Sequence, residues 1–286
     1  MERVTDWILL WRQLVEAHAR RYLKEKQGDD AWRNRARRYD EHVKRRWQTP
    51  DSSRSFVLSC LQATPGATVL DIGAGTGVWT VFLARHARRV TAVDPSPAML
   101  EILEENLAAE KIDNVEIIQG KWPEVKVAPH DYSICAHAMY GYPDLPAFVR
   151  AMTAVTRRTC FMVLRVPVAG SLMAQAAERI WGQPYDSPNF QVAYNVLLQM
   201  GIYAHVLIED TGLWKPWTNA SLEEALDDIK RRFGLDEESE HDEFLRQLLS
   251  QQLVHSGDRY VWPRSVRSAL VYWDVRRDTG AVEGKE

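Results

Sequence analysis

The chain has 286 residues and a formal net charge of −3 at pH 7, with 45% hydrophobic and 26% charged residues. This composition excludes a disordered or fibrous chain, and the acidic balance disfavours a dedicated nucleic-acid binder. The length suits one large domain, or one domain with a helical cap.

The first 60 residues are predicted to form a helical segment. Apolar side chains recur at helical spacing over residues 5–26, and a mostly polar helix is predicted over 30–47. A turn at 49–53 and a short helix at 55–61 lead into the first strand. We interpret the basic cluster of the second helix as a solvated face, with an RNA site as the alternative; it contains Arg33, Arg35, Arg37, Arg38, Lys44, Arg45 and Arg46.

The apolar run at residues 7–11 is short and flanked by charged residues, so we expect neither a signal peptide nor a membrane span. The cysteines lack C-x-x-C spacing, which indicates small buried side chains in a reducing, cytoplasmic location. They are Cys60, Cys135 and Cys160. Because the sequence offers no HExxH motif and no clustered Cys and His ligands, we expect no metal site.

Strands and helices alternate from residue 67 onward. This alternation predicts an α/β fold with a mostly parallel sheet and helices on both faces. The predicted strands are 67–72, 89–93, 115–118, 131–136 and 159–165, and the helices between them are 77–86, 96–110 and 144–156.

The pattern changes after residue 165. A broken helical stretch, a strand, a second helical stretch and a last strand are predicted at 171–201, 202–208, 220–255 and 268–275. We therefore divide the chain into a helical lid segment, a core, and the rest of the sheet with a helical insertion that forms a substrate cap. These parts are 1–60, 61–168 and 169–286.

A glycine-rich loop joins the first strand to the helix that follows it. Gly73, Gly75 and Gly77 allow a sharp turn and a close approach of the backbone to a ligand. A dinucleotide fingerprint, G-x-G-x-x-G, would require its third glycine at Val78. A pyrophosphate cradle is therefore disfavoured.

Two acidic residues end the first two strands. We expect Asp71 to put a carboxylate at the mouth of the loop, where it would repel a diphosphate and attract a cationic group. Asp94 lies 19 residues after Gly75, where a carboxylate can accept hydrogen bonds from two ribose hydroxyls. At this point the ribose can belong to NAD or to S-adenosylmethionine (SAM).

Three segments resemble the class I SAM-dependent methyltransferases, in particular those of the small-molecule type: 69–77, 92–96 with Met99, and 115–120. The resemblance covers residues 35–165 and implies a Rossmann-like fold with SAM as the cofactor. It implies that Asp71 and the glycine loop hold the methionine part, that Asp94 binds the ribose, and that Ser96 and Met99 lie beside the adenine. The full set of implied cofactor contacts is Tyr39, Asp71, Gly73, Ala74, Gly75, Gly77, Asp94, Pro95, Ser96, Met99, Gly120, Lys121, Trp122 and His137.

The sequence departs from this pattern after Gly120. Such proteins often place there an aspartate that accepts a hydrogen bond from the adenine amino group, but Lys121 cannot accept one. We therefore expect backbone atoms and stacking on Trp122 to recognise the adenine. Upstream, Tyr39 lies in a segment that resembles the helix closing over the cofactor in small-molecule members, and it is our candidate lid residue.

The strand at 131–136 ends at the edge where ligands bind in open α/β sheets. We predict that His137 is a general base or a cofactor contact, and that Tyr140 and Tyr142 position the reacting groups. Arg165 leaves the next strand near the same edge and is a candidate ligand for a substrate carboxylate or phosphate, or a partner for the acidic insertion.

We expect in-line transfer of a methyl group from SAM to a small-molecule acceptor. Aromatic residues of the insertion are candidates for the wall of its pocket: Tyr185, Tyr194, Tyr203, Trp214 and Trp217, with Asn195. The alternatives are an RNA or protein methyltransferase, a non-catalytic SAM-binding partner protein and, least favoured, a nicotinamide oxidoreductase.

Overall fold

The computed structural model describes residues 5–23, 30, 32–209, 216–264 and 266–279. In these ranges the helices are α1 (Trp7–Leu23), α2 (Ala36–Trp47), α3 (Ser52–Gln62), α4 (Val78–Ala84), α5 (Pro97–Ala109), α6 (Leu145–Ala154), α7 (Leu172–Trp181), α8 (Phe190–Gln199), α9 (Leu222–Phe233) and α10 (Asp242–Gln252). The strands are β1 (Thr68–Ile72), β2 (Arg89–Asp94), β3 (Val115–Gln119), β4 (His130–Ala136), β5 (Thr156–Pro167), β6 (His205–Ile208), β7 (Thr218–Asn219), β8 (Val254–Ser256), β9 (Arg259–Val261) and β10 (Val266–Asp274).

A seven-stranded sheet organises the molecule, in the order β3-β2-β1-β4-β5-β10-β6. Strands β1 to β5 pair in parallel, whereas β10 runs antiparallel to both β5 and β6. The predicted Rossmann-like, mostly parallel sheet with flanking helices is confirmed. The strand order reverses between β1 and β4, and the crevice at the carboxyl ends of such neighbours is where ligands bind in open α/β sheets.

Side-chain alternation along β1 separates the two faces of the sheet. Leu70 and Ile72 join the main core, which includes residues of α1, α6 and α8. Val69 joins a second core with residues of α3 and α4. Asp71 shares the face of Val69, because successive side chains of a strand point to opposite faces, and it therefore lies under α4.

The N-terminal helices are anchored near the carboxyl edge of the sheet. Trp11 of α1 is fully buried, and its Nε1 donates to the carbonyl oxygen of Tyr142 at 2.9 Å. The Tyr142 ring packs 5.7 Å from that of Phe148, so Tyr142 contributes to the core rather than positioning reacting groups as expected. The second anchor is α2, which packs on α5.

The insertion has a core of its own, formed by apolar residues of α7, α9 and α10 together with Trp262. The stretch predicted as helical over 220–255 contains two helices, α9 and α10. The strands β7 before them and β8 and β9 after them form a small sheet, in the order β7-β9-β8, that the sequence did not predict. These strands have two or three residues each, and β8 is exposed throughout, so they lack the apolar alternation that predicts a strand. Among the described residues, no helix has the length and apolarity needed to cross a bilayer.

Glu209, at the end of β6, supports the first turn of α3. It is 2% exposed, and its carboxylate accepts hydrogen bonds from the backbone N–H of Ser52 at 3.0 Å and from the Ser53 hydroxyl at 2.6 Å. A negative charge at a helix N-terminus is favourable, because the unpaired N–H groups and the helix dipole point toward it.

We expect Glu209→Gln to lower the free energy of unfolding by about 1–3 kcal/mol, because an amide group would meet N–H and O–H donors that the carboxylate now accepts. Urea denaturation followed by circular dichroism measures the change. The control is Glu223→Gln, which removes an exposed partner of Arg246 and should cost less than about 0.5 kcal/mol. Equal effects of the two substitutions would contradict the buried capping role.

Candidate functional site

The three glycines of the loop after β1 have different roles. All three adopt left-handed φ angles, of 73°, 56° and 89° for Gly73, Gly75 and Gly77. A Cβ atom on Gly73 would lie 2.1 Å from Cβ of Ala138, and one on Gly77 would lie 2.1 Å from Cδ1 of Leu103. A Cβ atom on Gly75 would meet no atom within 4 Å. Two glycines are thus required by packing, while Gly75 faces open space where a ligand can approach the backbone.

Asp94 lies beside Gly75 at the end of β2. Its Oδ2 accepts from the backbone N–H of Gly75, and its Oδ1 accepts from that of Ser96, both at 2.9 Å. Burial raises the pKa of Asp94, although these two N–H donors act against the rise. Each carboxylate oxygen keeps a second lone pair, so the group can still accept from a pair of ribose hydroxyls. The neighbouring Pro95 is exposed.

Asp71 does not lie at the mouth of the loop as expected. It is 1% exposed and accepts a hydrogen bond from the Thr80 hydroxyl of α4 at 2.6 Å. Burial raises its pKa to about 7, with a further contribution from the charge of Asp94, while the Thr80 hydrogen bond opposes the shift. The expectation was wrong because strand alternation turns this side chain under α4.

The start of α5 is covered by the N-terminal segment. The Ser96 hydroxyl donates to the carboxylate of Asp30 at 2.9 Å, and Asp30 also accepts from the backbone N–H of Ala98 at 3.1 Å. Met99 is 3% exposed in a cluster with Ala36 of α2. Ser96 and Met99 therefore contact protein groups where the resemblance implied an adenine. Asp30 was not predicted as a site residue. Its only distinguishing feature in the sequence is its position shortly before α2.

The loop after β3 does not provide the expected aromatic platform. Trp122 is 7% exposed in the main core, and its Nε1 donates to the carbonyl oxygen of Phe148 at 3.4 Å. The predicted stacking of adenine on Trp122 is therefore wrong, because the large apolar ring gains more from burial in the core. Lys121 extends into solvent, 3.9 Å from Glu124. Gly120 has no room for a side chain, since a Cβ atom would lie 2.2 Å from Val125.

Tyr39 of α2 lies close to Asp94. Its ring is 38% exposed and its centroid lies 5.1 Å from that of Trp32. Burial raises the pKa of the Tyr39 phenol, with Arg46 lowering it and Asp94 raising it further. The lid role of Tyr39 stays a prediction.

His137 and Tyr140 form one hydrogen-bonded unit at the end of β4. The His137 backbone has a left-handed φ of 58°, and its N–H donates to the Val163 carbonyl oxygen of β5 at 3.0 Å. The Tyr140 oxygen accepts from the backbone N–H of Arg165 at 2.6 Å and lies 3.1 Å from Nδ1 of His137. We assign the phenol proton to the bond with Nδ1, because the Arg165 amide already uses an oxygen lone pair. The imidazole proton is then on Nε2.

Two arginines make this side of the site positive. Burial lowers the pKa of His137 well below its usual value, and the charges of Arg46 and Arg165 lower it further. The Cζ atom of Arg165 lies 4.2 Å from the centroid of the Tyr140 ring. His137 is consequently neutral at pH 7.

Arg46 is the functional residue that the interpretation of the basic cluster missed. The rest of that cluster fits a solvated face where its ion pairs are described: Arg37 lies 2.7 Å from Glu105, and Lys44 lies 2.7 Å from Asp40. Arg46 instead interacts with the charges of buried groups, and burial lowers its pKa. Helical periodicity could have set Arg46 apart from its basic neighbours. It places Arg46 on the same face as the buried residues of α2, which are Ala36, Asp40 and Val43.

The insertion aromatics do not converge on these residues. The Tyr194 hydroxyl donates to the Ala204 carbonyl oxygen at 3.0 Å, Tyr203 is 66% exposed, and Trp217 packs 5.9 Å from Trp262. Tyr185 and Asn195 make local hydrogen bonds with Gln183 and Gln191. Trp214 lies outside the described residues. Within the described ranges, no group of three or more His, Cys, Asp or Glu side chains is arranged to hold a metal ion.

The raised pKa of Asp71 makes stability depend on pH. The folded state keeps the Asp71 proton up to about pH 7, whereas the unfolded state loses it near 3.8. The free energy of unfolding should therefore fall as pH rises through this window and level off above it. We expect a flatter pH profile for Asp71→Asn in urea denaturation, with the exposed Asp113→Asn as the control. Parallel profiles for wild type and Asp71→Asn would contradict the buried, protonated carboxyl.

Comparison with known proteins places these features in a family. Residues 69–159 match the family model described as a methyltransferase domain. The magnesium-protoporphyrin O-methyltransferase of Rhodobacter capsulatus is 33% identical over 125 residues, which cover 42% of this chain and 55% of that protein. A probable ribosomal RNA small subunit methyltransferase A of Methanosphaera stadtmanae is 30% identical over 80 residues, covering 28% of this chain and 30% of that protein.

The chain therefore spans about half or less of the length of these curated relatives. The crystal structure of the YcgJ protein of Bacillus subtilis is 13% identical, with a TM-score of 0.51, and the match covers 78% of this chain and 97% of that one. This likeness shows that the two chains share a fold. The matched segment, the strand order and the glycine loop together make residues 69–159 similar to the class I SAM-dependent methyltransferases.

Proposed function

We propose that the chain transfers a methyl group from SAM to a small-molecule acceptor. The observation that carries this proposal is the pairing of Gly75 and Asp94. The loop backbone faces open space at Gly75, and its N–H is fixed on a carboxylate that can still accept hydrogen bonds from a ribose. A dinucleotide is disfavoured because the third glycine of the loop falls one residue too early for its fingerprint.

The residues at this edge fit SAM. Asp94 would hold the ribose hydroxyls, the loop at Gly75 would contact the methionine part, and the exposed Pro95 would lie beside the adenine. Tyr39 would cover the ribose end. When bound, SAM supplies a methyl group on a positively charged sulfur, so the protein has mainly to align the acceptor with that carbon.

The acceptor would approach from the β4 and β5 side, because the glycine loop and Asp94 occupy the carboxyl ends of β1 and β2. The names of the relatives include a small-molecule acceptor and an RNA acceptor, so they do not distinguish the two classes. The residues of the site do. Arg37 and Lys44 are engaged in ion pairs with Glu105 of α5 and Asp40 of α2, which disfavours a basic track for RNA. The three free cysteines support a cytoplasmic location.

Calorimetric titration tests the cofactor assignment. We expect SAM and S-adenosylhomocysteine (SAH) to bind, and NADH not to bind. Asp94→Ala should weaken SAH binding by about 1.5–3 kcal/mol, the usual contribution of hydrogen bonds to a charged group. Asp113→Ala, at an exposed aspartate before β3, serves as the control and should leave the affinity unchanged. Binding of NADH without binding of SAH would reject the proposed function.

The lid role of Tyr39 is tested separately. Tyr39→Ala should weaken SAH binding by about 1–2 kcal/mol because it removes an aromatic surface from the cofactor, whereas Tyr39→Phe should retain nearly the wild-type affinity. Tyr203→Ala removes an exposed tyrosine elsewhere and is the control for aromatic truncation. If Tyr39→Ala binds SAH as tightly as wild type, Tyr39 is not a lid residue.

A further inference from the structure

The charges of two arginines from different parts of the chain act on His137. Arg46 lies in the last turn of α2, and Arg165 lies near the carboxyl end of β5. Both charges act on His137 and on Tyr140. Because β4 and β5 are neighbours in the sheet, these residues line the side from which the acceptor would approach.

Arg165 is held in place by contacts with Tyr140, and one of its guanidinium nitrogens lacks a hydrogen-bond partner among the described residues. Its backbone N–H donates to the Tyr140 oxygen at 2.6 Å, and its Cζ lies 4.2 Å from the Tyr140 ring centroid. The Nε atom is buried and has no hydrogen-bond partner within the part of the chain that the structure describes. A buried N–H without an acceptor is costly, so the site favours a ligand that brings an anionic oxygen to Arg165.

We propose that the methyl acceptor is a carboxylate bound by Arg165, with Arg46 supplying a second positive charge, and that the product is a methyl ester. This inference rests on the proposed function and names its substrate class. An ammonium acceptor is disfavoured, because two guanidinium groups would repel it.

The chemistry matches the protonation of the site. A carboxylate oxygen of the acceptor forms a bond to the methyl carbon, the bond from that carbon to sulfur breaks, and its electron pair stays on sulfur to give SAH. The acceptor is already ionised at pH 7, so no proton is released and no general base is required. In the assigned tautomer, His137 carries its proton on Nε2, and it would donate to the acceptor rather than abstract a proton from it.

The identity of the product tests the substrate class. The assay incubates the protein with methyl-tritiated SAM and a panel of aliphatic and aromatic carboxylic acids, each beside its primary amide. We expect label transfer to acids and not to amides, and release of the label as volatile methanol under mild alkali, as a methyl ester requires. Transferred label that resists alkali would overturn the inference while leaving the proposed methyltransferase function intact.

Substitution of the arginines identifies which carboxylate they bind, since the cofactor itself also carries one. Arg165→Gln and Arg46→Gln should raise the KM for the acid about 10- to 100-fold while the Kd for SAH changes less than about twofold. The matched controls are Arg158→Gln, at the other end of β5, and Arg45→Gln, an exposed neighbour on α2.

Two results would count against the arginine assignment. A large loss of SAH affinity with an unchanged KM would assign the guanidinium groups to the cofactor's carboxylate. An unchanged KM and Kd in both variants would remove them from the site. Failure of wild-type protein to bind SAH in calorimetry would instead reject the proposed function on which the inference rests.

Discussion

The hydrogen bond between the Gly75 N–H and the Asp94 carboxylate joins the loop after β1 to the end of β2. Gly75 also adopts a left-handed backbone, which glycine tolerates best, so glycine at this position serves the site itself. The same loop packs against Ala138, which follows His137, and against Leu103 of α5. Its conformation therefore sets the spacing between the cofactor side and the acceptor side of the sheet edge.

The two sides of this sheet edge differ in charge: one side has carboxyl groups and the other has guanidinium groups. On the cofactor side, burial raises the pKa of Asp71 and Asp94, so a nearby positive charge would stabilise their ionised forms. On the acceptor side, Arg46 and Arg165 lower the pKa of His137. A sulfonium group between the two sides would be attracted to the carboxylates, and an anionic acceptor would be drawn to the guanidinium groups. The arrangement favours bringing the two reactants together.

Features that depend on local sequence were predictable, and features that depend on packing between distant segments were not. The glycine loop, Asp94 and the parallel strands follow from turn residues and alternating elements. The position of Trp122 depends on its contact with Phe148, which no motif encodes. Strand alternation gives the face of Asp71, but the spacing of the motif does not show that Thr80 of α4 covers it. Arg46 was hidden among basic neighbours, because a count of charges does not show which face of a helix is buried.

Helix α2 serves both halves of the site. Tyr39 and Arg46 are seven residues apart, which is close to two helical turns, so both project from one face. Asp94 raises the pKa of the Tyr39 phenol, and Arg46 interacts electrostatically with the Tyr140 phenol. Because one rigid helix carries both groups, a displacement of α2 would expose the cofactor cradle and weaken the positive field at the acceptor position together. If Tyr39 acts as the proposed lid residue, the acceptor position would be complete only when α2 covers the cofactor.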